Sequence, residues 1–359
     1  MKIAPSADKF IYTGRIADEK TEAPLFIYAG SMAETVFSGK KVGVYIKNQP
    51  MGEYYALGAL VDGVQYKLEI PKEAEYDKEL YLSIAEDLEE GEHSLIVFKR
   101  QAAAHYFRFC GIEIDDGAAV SLPHKEYSLN MEVYGDSVSA GELTEGIYHE
   151  AHTDPVSQKG YGFWDNSWFS YPLILSRMIK ARVHDNSQGG IALLNKTGFF
   201  CGPDPEKLTG VEVTYNKLSY VPYSKEGYTD WDFSKYTPDL VIIAIGQNDH
   251  NPDEEKTKTP EFARAWKEKY KEIVLDLREK YGENVKFLFI LTVLMHEERW
   301  DGYLDDIERD LAKELGENSV KHYKFSRCGK ATPGHPRISE QSEMAAELAV
   351  VVREWFELK

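Results

Sequence analysis

Two regimes of hydrophobic patterning divide the chain. From about Phe10 to Asp115, apolar positions alternate with polar or small ones. Val42, Val44 and Ile46 alternate with Gly43, Tyr45 and Lys47, and Val64, Tyr66, Leu68 and Ile70 alternate with Gln65, Lys67 and Glu69. A period of two predicts half-buried strands, because successive side chains point to opposite faces. Asp62-Gly63, between ALGALV and VQYKLEI, suits the positive φ angles of a type I′ hairpin turn. ETVFSG, LYLSIA, HSLIVFKRQ and YFRFCGIEI read as further strands. Many short strands with no helix between them predict a β-sandwich of the jelly-roll kind.

Beyond the polar stretch 115–128, strands and helices alternate. LNMEVYG, ARVHDNS, DLVIIAIG, VKFLFILTV and SVKHYKF are the strand candidates. DLVIIAIG and VKFLFILTV are almost wholly apolar, as strands covered on both faces should be. A helix is predicted over about Pro260 to Tyr281. Thr259 caps it, Pro260 fits its first position, and Phe262, Trp266, Ile273 and Leu277 form one stripe. A last helix, about Ser339 to Leu358, carries Met344, Leu348, Val351 and Trp355 on one face. Such alternation predicts a parallel sheet with helices on both sides and a site at the carboxyl ends of its strands. The expected domains are residues 1–122, a β-sandwich, and 123–359, an α/β/α domain with a flavodoxin-like sheet.

Composition narrows the function classes. The 359 residues carry 42 Lys and Arg against 60 Asp and Glu, a formal net charge of −18. A surface this negative repels nucleic-acid backbones and anionic membranes. No apolar run reaches the ~18 residues of a membrane span, and the first twenty residues lack a signal-peptide core. Cys110, Cys201 and Cys328 stand far apart with no CxxC pair, so neither a disulfide framework nor a zinc knuckle is indicated. A soluble cytoplasmic protein with no nucleic-acid or membrane partner is expected.

Candidate chemistry concentrates at strand ends. In MEVYGDSVSAGE a β-run ends at Gly135, and Ser137 begins a turn entering a helix, which presents a hydroxyl near free backbone N–H groups. Its other reading is an ordinary strand-to-turn junction. Gly190, after ARVHDNS, offers an unobstructed backbone N–H or simply permits a tight turn. Asn248, after DLVIIAIG, can aim its amide above the sheet or form an Asx turn. His335, in Thr-Pro-Gly-His-Pro before the last helix, sits in a loop stiffened by two prolines.

These four segments, each after its own strand, resemble the Ser, Gly, Asn and His blocks of the SGNH hydrolases over about residues 128–358. With the sandwich in front, WDFSKYTPDLVIIAIGQND in the middle and IYTGRI…PLFIYAGSMAETVFSG near the start, the chain resembles carbohydrate esterase family two over nearly its whole length. The resemblance implies a serine esterase that removes O-acetyl groups from acetylated hemicellulose oligosaccharides of mannan or xylan type. Ser137 would be the nucleophile and His335 the general base. The backbone N–H groups of Ser137 and Gly190 and the Asn248 side chain would form the oxyanion hole. Rival readings are an SGNH lipase or thioesterase, and a glycan-binding protein with a degenerate esterase half; the complete residue set argues against degeneracy.

One departure stands out. Where many SGNH enzymes place an Asp three residues before the His, this chain has Thr332. A Ser–His dyad is therefore expected, with a backbone carbonyl of Thr332 or Pro333 holding the imidazole and the base staying near the ordinary histidine pKa. No metal or cofactor is expected. In HEAH, His152 follows His149 one residue too early for HExxH, so a solvated polar insert is favoured. The calcium-loop start Asp249, Asn251, Asp253 has Glu254 where Gly is needed and Pro260 where Glu is needed. Trp164, Trp231 and Trp300 are candidate sugar-stacking residues. The sugar, the hydroxyl position, the acyl preference and the oligomeric state are left open.

Overall fold

The computed structural model describes residues 1–17, 23–50, 54–102, 105–220 and 227–358. Two antiparallel sheets form the N-terminal sandwich. One runs Ile16–Ala17, Leu25–Phe26, Tyr106–Ile114, Val42–Gln49, Glu79–Ala85 in spatial order, with Lys2–Ile3 also on Tyr106–Ile114. The other runs Val120–Ser121, Met32–Ser38, Glu92–Lys99, Ala56–Val61, Val64–Glu69, with Ile11–Thr13 also on Met32–Ser38. Val44, Ile46, Phe107 and Ile112 from one sheet meet Phe37, Leu57, Ala59 and Val97 from the other. The alternation read from the sequence is thus the inward face of each strand. Asp62 and Gly63 have φ of 49° and 81°, and their turn joins Val61 to Val64 in register.

VQYKLEI departs from its predicted pattern. Val64 is 59% exposed, and Leu68 and Ile70 are the positions that reach the core. This strand is the sheet's edge, so its first residues have no opposing layer to bury against.

The second half is a five-stranded parallel sheet of Leu129–Gly135, Ala181–Asp185, Leu240–Ala244, Lys286–Leu291 and Val320–Lys324. In spatial order the strands run second, first, third, fourth, fifth, the flavodoxin-like arrangement whose switch point lies beside the first strand. Successive residues feed opposite layers. Val241 and Ile243 pack under Pro260–Tyr281 and Glu298–Leu315. Leu240, Ile242 and Ala244 pack under Tyr171–Met178 and Ile338–Phe356. The Thr259 hydroxyl accepts the Phe262 N–H at 3.3 Å, as the cap reading requires. On the last helix the stripe turns by one residue: Met344, Leu348 and Val352 are buried, while Val351 and Trp355 are half-buried.

A buried ion pair ties the two halves. Arg15, from the sandwich, donates from Nε (3.1 Å) and Nη2 (2.9 Å) to Glu132 Oε1 on the first parallel strand. Asn186 and the hydroxyls of Tyr134 and Tyr281 also donate to this carboxylate, and Arg15 Nη1 donates to the carbonyls of Tyr215 and Lys217. Both charges are fully buried and hydrogen-bonded throughout. Among the described residues, no helix is long and apolar enough to cross a membrane.

Candidate active site

Gly135 ends the first parallel strand, and a side chain there would meet Ser139 Oγ at 2.1 Å. The bare backbone lets the chain turn directly into a short helix, Ser137–Ala140. Asp136 caps that helix, its Oδ1 accepting the Val138 N–H at 3.0 Å. Ser137 is therefore the first helical residue, at the carboxyl end of the strand beside the switch point.

His335 arrives from the loop before the last helix. Its Nε2 lies 2.8 Å from Ser137 Oγ. Its Nδ1 lies 2.7 Å from Asp154 Oδ2, and its backbone N–H donates to Asp154 Oδ1 at 2.8 Å. Fully buried Arg337 donates to the same Oδ1 at 3.0 Å and to the carbonyls of Gly146 and His335. Gly334 permits this approach: its φ is +102°, and a Cβ there would meet Asp154 Oδ1 at 2.3 Å.

The dyad expectation is corrected here. The His335 loop contains no carboxylate, but Asp154 reaches it from the polar insert that carries His149 and His152. Burial by itself would lower the His335 pKa. The hydrogen bond that His335 donates to Asp154, followed by the charges of Glu142, Asp154 and Asp136, raises it above the ordinary histidine value instead. For Asp154, burial is outweighed by the bonds from His335 and Arg337, which bring its pKa down to about 2. Asp154 is an anion opposite an imidazole, positioned to hold the Nδ1–H tautomer and leave Nε2 to accept the serine proton.

Asn248 stands at the third strand's end. Its Nδ2 donates to Ile191 O at 2.9 Å and to Asp136 Oδ2 at a longer 3.3 Å. Gln247 Nε2 donates to the same Asp136 oxygen at 2.7 Å. Asp136 thus joins the first strand end to the third, and burial pushes its carboxyl up to about 6 against these hydrogen bonds. Gly190, φ +71°, accepts the Phe199 N–H at 2.7 Å in the turn after the second strand. Asp249, one residue past Asn248, accepts from Leu193 N and Trp266 Nε1. It pins that turn to the long helix and leaves no role for a calcium loop.

The tryptophan expectations divide. Trp300, 1% exposed, packs against Trp266 and Tyr303 under the sheet. Trp231, 5% exposed, covers Arg15. Neither offers a ring to a ligand, because an apolar face at these positions is worth more against the core. Trp164 is half-buried against Phe163 and His149. Tyr161 is 69% exposed, its hydroxyl donating to buried Glu142 Oε2 at 2.5 Å, and Phe199, 54% exposed, packs on the Gly190 turn. A cleft of about 370 Å³ bordered by Met32, Trp168, Arg177 and Arg182 has none of Ser137, His335 and Asp154 in its lining.

Sequence reasoning missed Asp154, Arg337 and Glu142. The order of the Ser, Gly, Asn and His segments was readable, but a carboxylate supplied by a loop carries no spacing signal.

Comparison with known proteins follows the same division. Residues 12–123 match the family model described as carbohydrate esterase 2 N-terminal. The cellulase/esterase CelE of Acetivibrio thermocellus is 26% identical over 352 residues, 96% of this chain and 39% of that protein. The chain thus spans about two-fifths of that relative's length. A family two carbohydrate esterase from Clostridium thermocellum, solved in complex with cellohexaose, superposes with a TM-score of 0.76 at 22% identity, covering 96% of this chain and 99% of that one. An acetyl xylan esterase, Est2A, from the rumen bacterium Butyrivibrio proteoclasticus gives 0.78 at 18% identity, covering 99% and 100%. The resemblance to carbohydrate esterase family two and the expected fold, a sandwich followed by a parallel α/β domain, are borne out.

Proposed function

We propose that this chain, which carries a carbohydrate esterase 2 N-terminal domain, is a serine esterase that removes O-acetyl groups from hemicellulose-derived oligosaccharides. The observation that carries the proposal is the unbroken line from Asp154 through His335 to Ser137 Oγ, with contacts of 2.7 and 2.8 Å. A glycan-binding protein with a degenerate esterase half would have no use for it.

In the proposed reaction, Ser137 Oγ attacks the acetyl carbonyl carbon while His335 Nε2 takes its proton. The oxyanion is received by the backbone N–H groups of Ser137 and Gly190 and by the Asn248 amide, whose long contact to Asp136 is the one it gives up. His335 then protonates the departing sugar oxygen, leaving an acetyl ester on Ser137. Water, deprotonated by the same imidazole, attacks that ester, and acetate leaves as His335 returns the proton to Ser137. Asp154 stays ionised throughout and offsets the imidazolium charge.

The substrate class rests on the relatives, among them an acetyl xylan esterase and an enzyme solved with cellohexaose. The three free cysteines suit a reducing compartment, and we place the reaction in the cytoplasm on imported oligosaccharides. Acetate release from acetylated xylan and mannan oligosaccharides, set beside nitrophenyl esters of increasing acyl length, tests the reading. Acetyl preference and loss of up to ~10⁶ in kcat for Ser137→Ala are expected. A preference for long acyl chains would replace it with the lipase reading.

A further inference from the structure

A second cluster of reactive side chains lies at the far side of the His335 loop. His296 follows the fourth parallel strand, Asp301 lies in the first turn of Glu298–Leu315, His322 is on the fifth strand, and Cys328 opens the loop that later carries His335. The His296, Asp301 and His322 side chains are more than nine-tenths buried.

The donors are arranged with their lone pairs inward. His296 Nδ1 lies 2.7 Å from the Leu294 carbonyl, an acceptor only, so the ring proton is on Nδ1. Its Nε2 then faces Asp301 Oδ2 at 3.1 Å and Cys328 Sγ at 3.6 Å. His322 repeats the pattern. Its Nδ1 lies 2.7 Å from Asp305 Oδ1, Lys324 holds the other oxygen of that carboxylate, and its Nε2 is buried without a hydrogen-bond partner, 3.6 Å from Asp301 Oδ1. Cys328 Sγ is 3.6 Å from Asp301 Oδ1, with the Leu291 and Thr292 carbonyls at 3.7 and 3.8 Å. Two imidazole nitrogens, a carboxylate and a sulfur thus face one another at distances that a single cation could bridge.

Zinc is a cation whose bond lengths suit the His296, Asp301 and Cys328 group, whose ligand atoms all lie within 4.8 Å of one another. Zn–N and Zn–O bonds of about 2.1 Å and a Zn–S bond of about 2.3 Å, at tetrahedral angles, put neighbouring ligand atoms roughly 3.4–3.6 Å apart. The sulfur–nitrogen and sulfur–oxygen separations here are both 3.6 Å. One carboxylate and one thiolate neutralise a divalent ion. Both histidines keep an acceptor on Nδ1, the Leu294 carbonyl and Asp305, as metal-bound imidazoles characteristically do. From the convergence of His296, Asp301 and Cys328 and the buried, unpartnered His322 Nε2 beside Asp301, we propose that the four residues form a structural zinc site, with His322 drawn in as the fourth ligand.

All four positions are filled by protein, which leaves no open site for chemistry. The ion's effect is to fasten the start of the His335 loop, already tied by the Ala331 N–H to Val293 O at 2.7 Å, onto the sheet. Sequence spacing could not show this site, because its donors come from four separate segments rather than one motif.

The test uses the full chain, stripped with a chelator and titrated with Zn(II), without substrate, so it is independent of the esterase reading. One equivalent per chain and a raised melting temperature are expected. Cobalt(II) in place of zinc should give a thiolate-to-cobalt charge-transfer band that Cys328→Ser removes and Cys110→Ser and Cys201→Ser keep. Asp305→Asn, which loosens His322 without removing a ligand, should weaken zinc binding about 10–100-fold. Failure to hold zinc, a cobalt spectrum without a thiolate band, or a band that survives Cys328→Ser would each overturn the proposal. Any of these would leave the cluster as two histidine rings packed around Asp301 with no ion.

Discussion

Asp154 Oδ2 lies 2.7 Å from His335 Nδ1, a residue 181 positions further along the chain. The other oxygen of that carboxylate is committed to two donors, the His335 N–H and Arg337 Nη1. This asymmetry decides what Asp154→Asn would do. The amide oxygen must stay where the two donors are, which turns the NH₂ group toward Nδ1. The ring then accepts at Nδ1 and carries its proton on Nε2, facing Ser137 as a donor. A loss of about 10⁴ in kcat is expected, the size seen when a triad aspartate becomes asparagine and forces the wrong tautomer. Asp154→Ala, which lets water accept from Nδ1, should be no worse. Thr332→Ala should stay close to the parent.

The same pair sets the acid limb of the pH profile. His335 must be neutral to accept the Ser137 proton, and its pKa is raised. Activity should therefore rise with pH through a midpoint above the ordinary ~6.5 of histidine. Without the Asp154 charge the midpoint should move to lower pH, though the Glu142 and Asp136 charges still hold it up. A kcat/KM profile of the parent and of Asp154→Ala checks the direction. A midpoint unmoved by the substitution would mean that another group titrates.

What could be read in advance has a physical pattern. The Pro260–Tyr281 helix was legible because its cap, its first-turn proline and its apolar stripe are local and agree. The apolar runs 239–246 and 285–293 were legible because a doubly covered strand leaves no polar alternation. Asp154 was not legible, since it sits in a solvated insert and its partner is remote in sequence. Trp300 and Trp231 misled because ring chemistry is identical in a core and at a sugar site. Only burial separates the two, and that depends on the tertiary packing.

Asn248→Ala should lower kcat by roughly 10²–10³, the cost of one oxyanion donor, with KM for a small acetyl ester little changed. The amide also holds Ile191 O at 2.9 Å, so a modest fall in melting temperature is expected. A change confined to KM would make Asn248 a substrate-binding residue instead.

Arg15 and Glu132 give a prediction about stability rather than rate. Both side chains are fully buried, and Arg15→Met leaves the Glu132 carboxylate without its cation. Breaking a buried pair on one side costs about 3–5 kcal/mol. Arg15→Met/Glu132→Gln should recover part of the loss, because the neutral amide no longer needs a counter-charge. Urea unfolding of the single and double variants measures both. A double variant less stable than the single one would show that the hydrogen bonds of Glu132 matter more than its charge.

Tyr161 is where substrate preference should be felt. Its ring is exposed, yet its hydroxyl is fixed on Glu142, and the Glu142 charge, followed by burial, raises the phenol pKa. The phenol is therefore a hydrogen-bond donor at working pH. Glu142 lies beside Gly189, where a Cβ would come within 1.9 Å of its Oε1, and its charge is felt by His335. Glu142 thus ties this exposed tyrosine to the turn beside Gly189, and we infer that its ring stacks on a pyranose of the substrate. Tyr161→Ala should raise KM for acetylated oligosaccharides several-fold, since a stacked aromatic face contributes about 0.5–1.5 kcal/mol beyond area burial. For p-nitrophenyl acetate, which has no sugar ring, kcat and KM should stay near the parent values. Tyr161→Phe separates the two contributions of this residue. It keeps the stacking face and removes the donor to Glu142, so KM for oligosaccharides should be retained. Equal losses on both substrates in Tyr161→Ala would instead assign Tyr161 to holding Glu142 and the active-site turn.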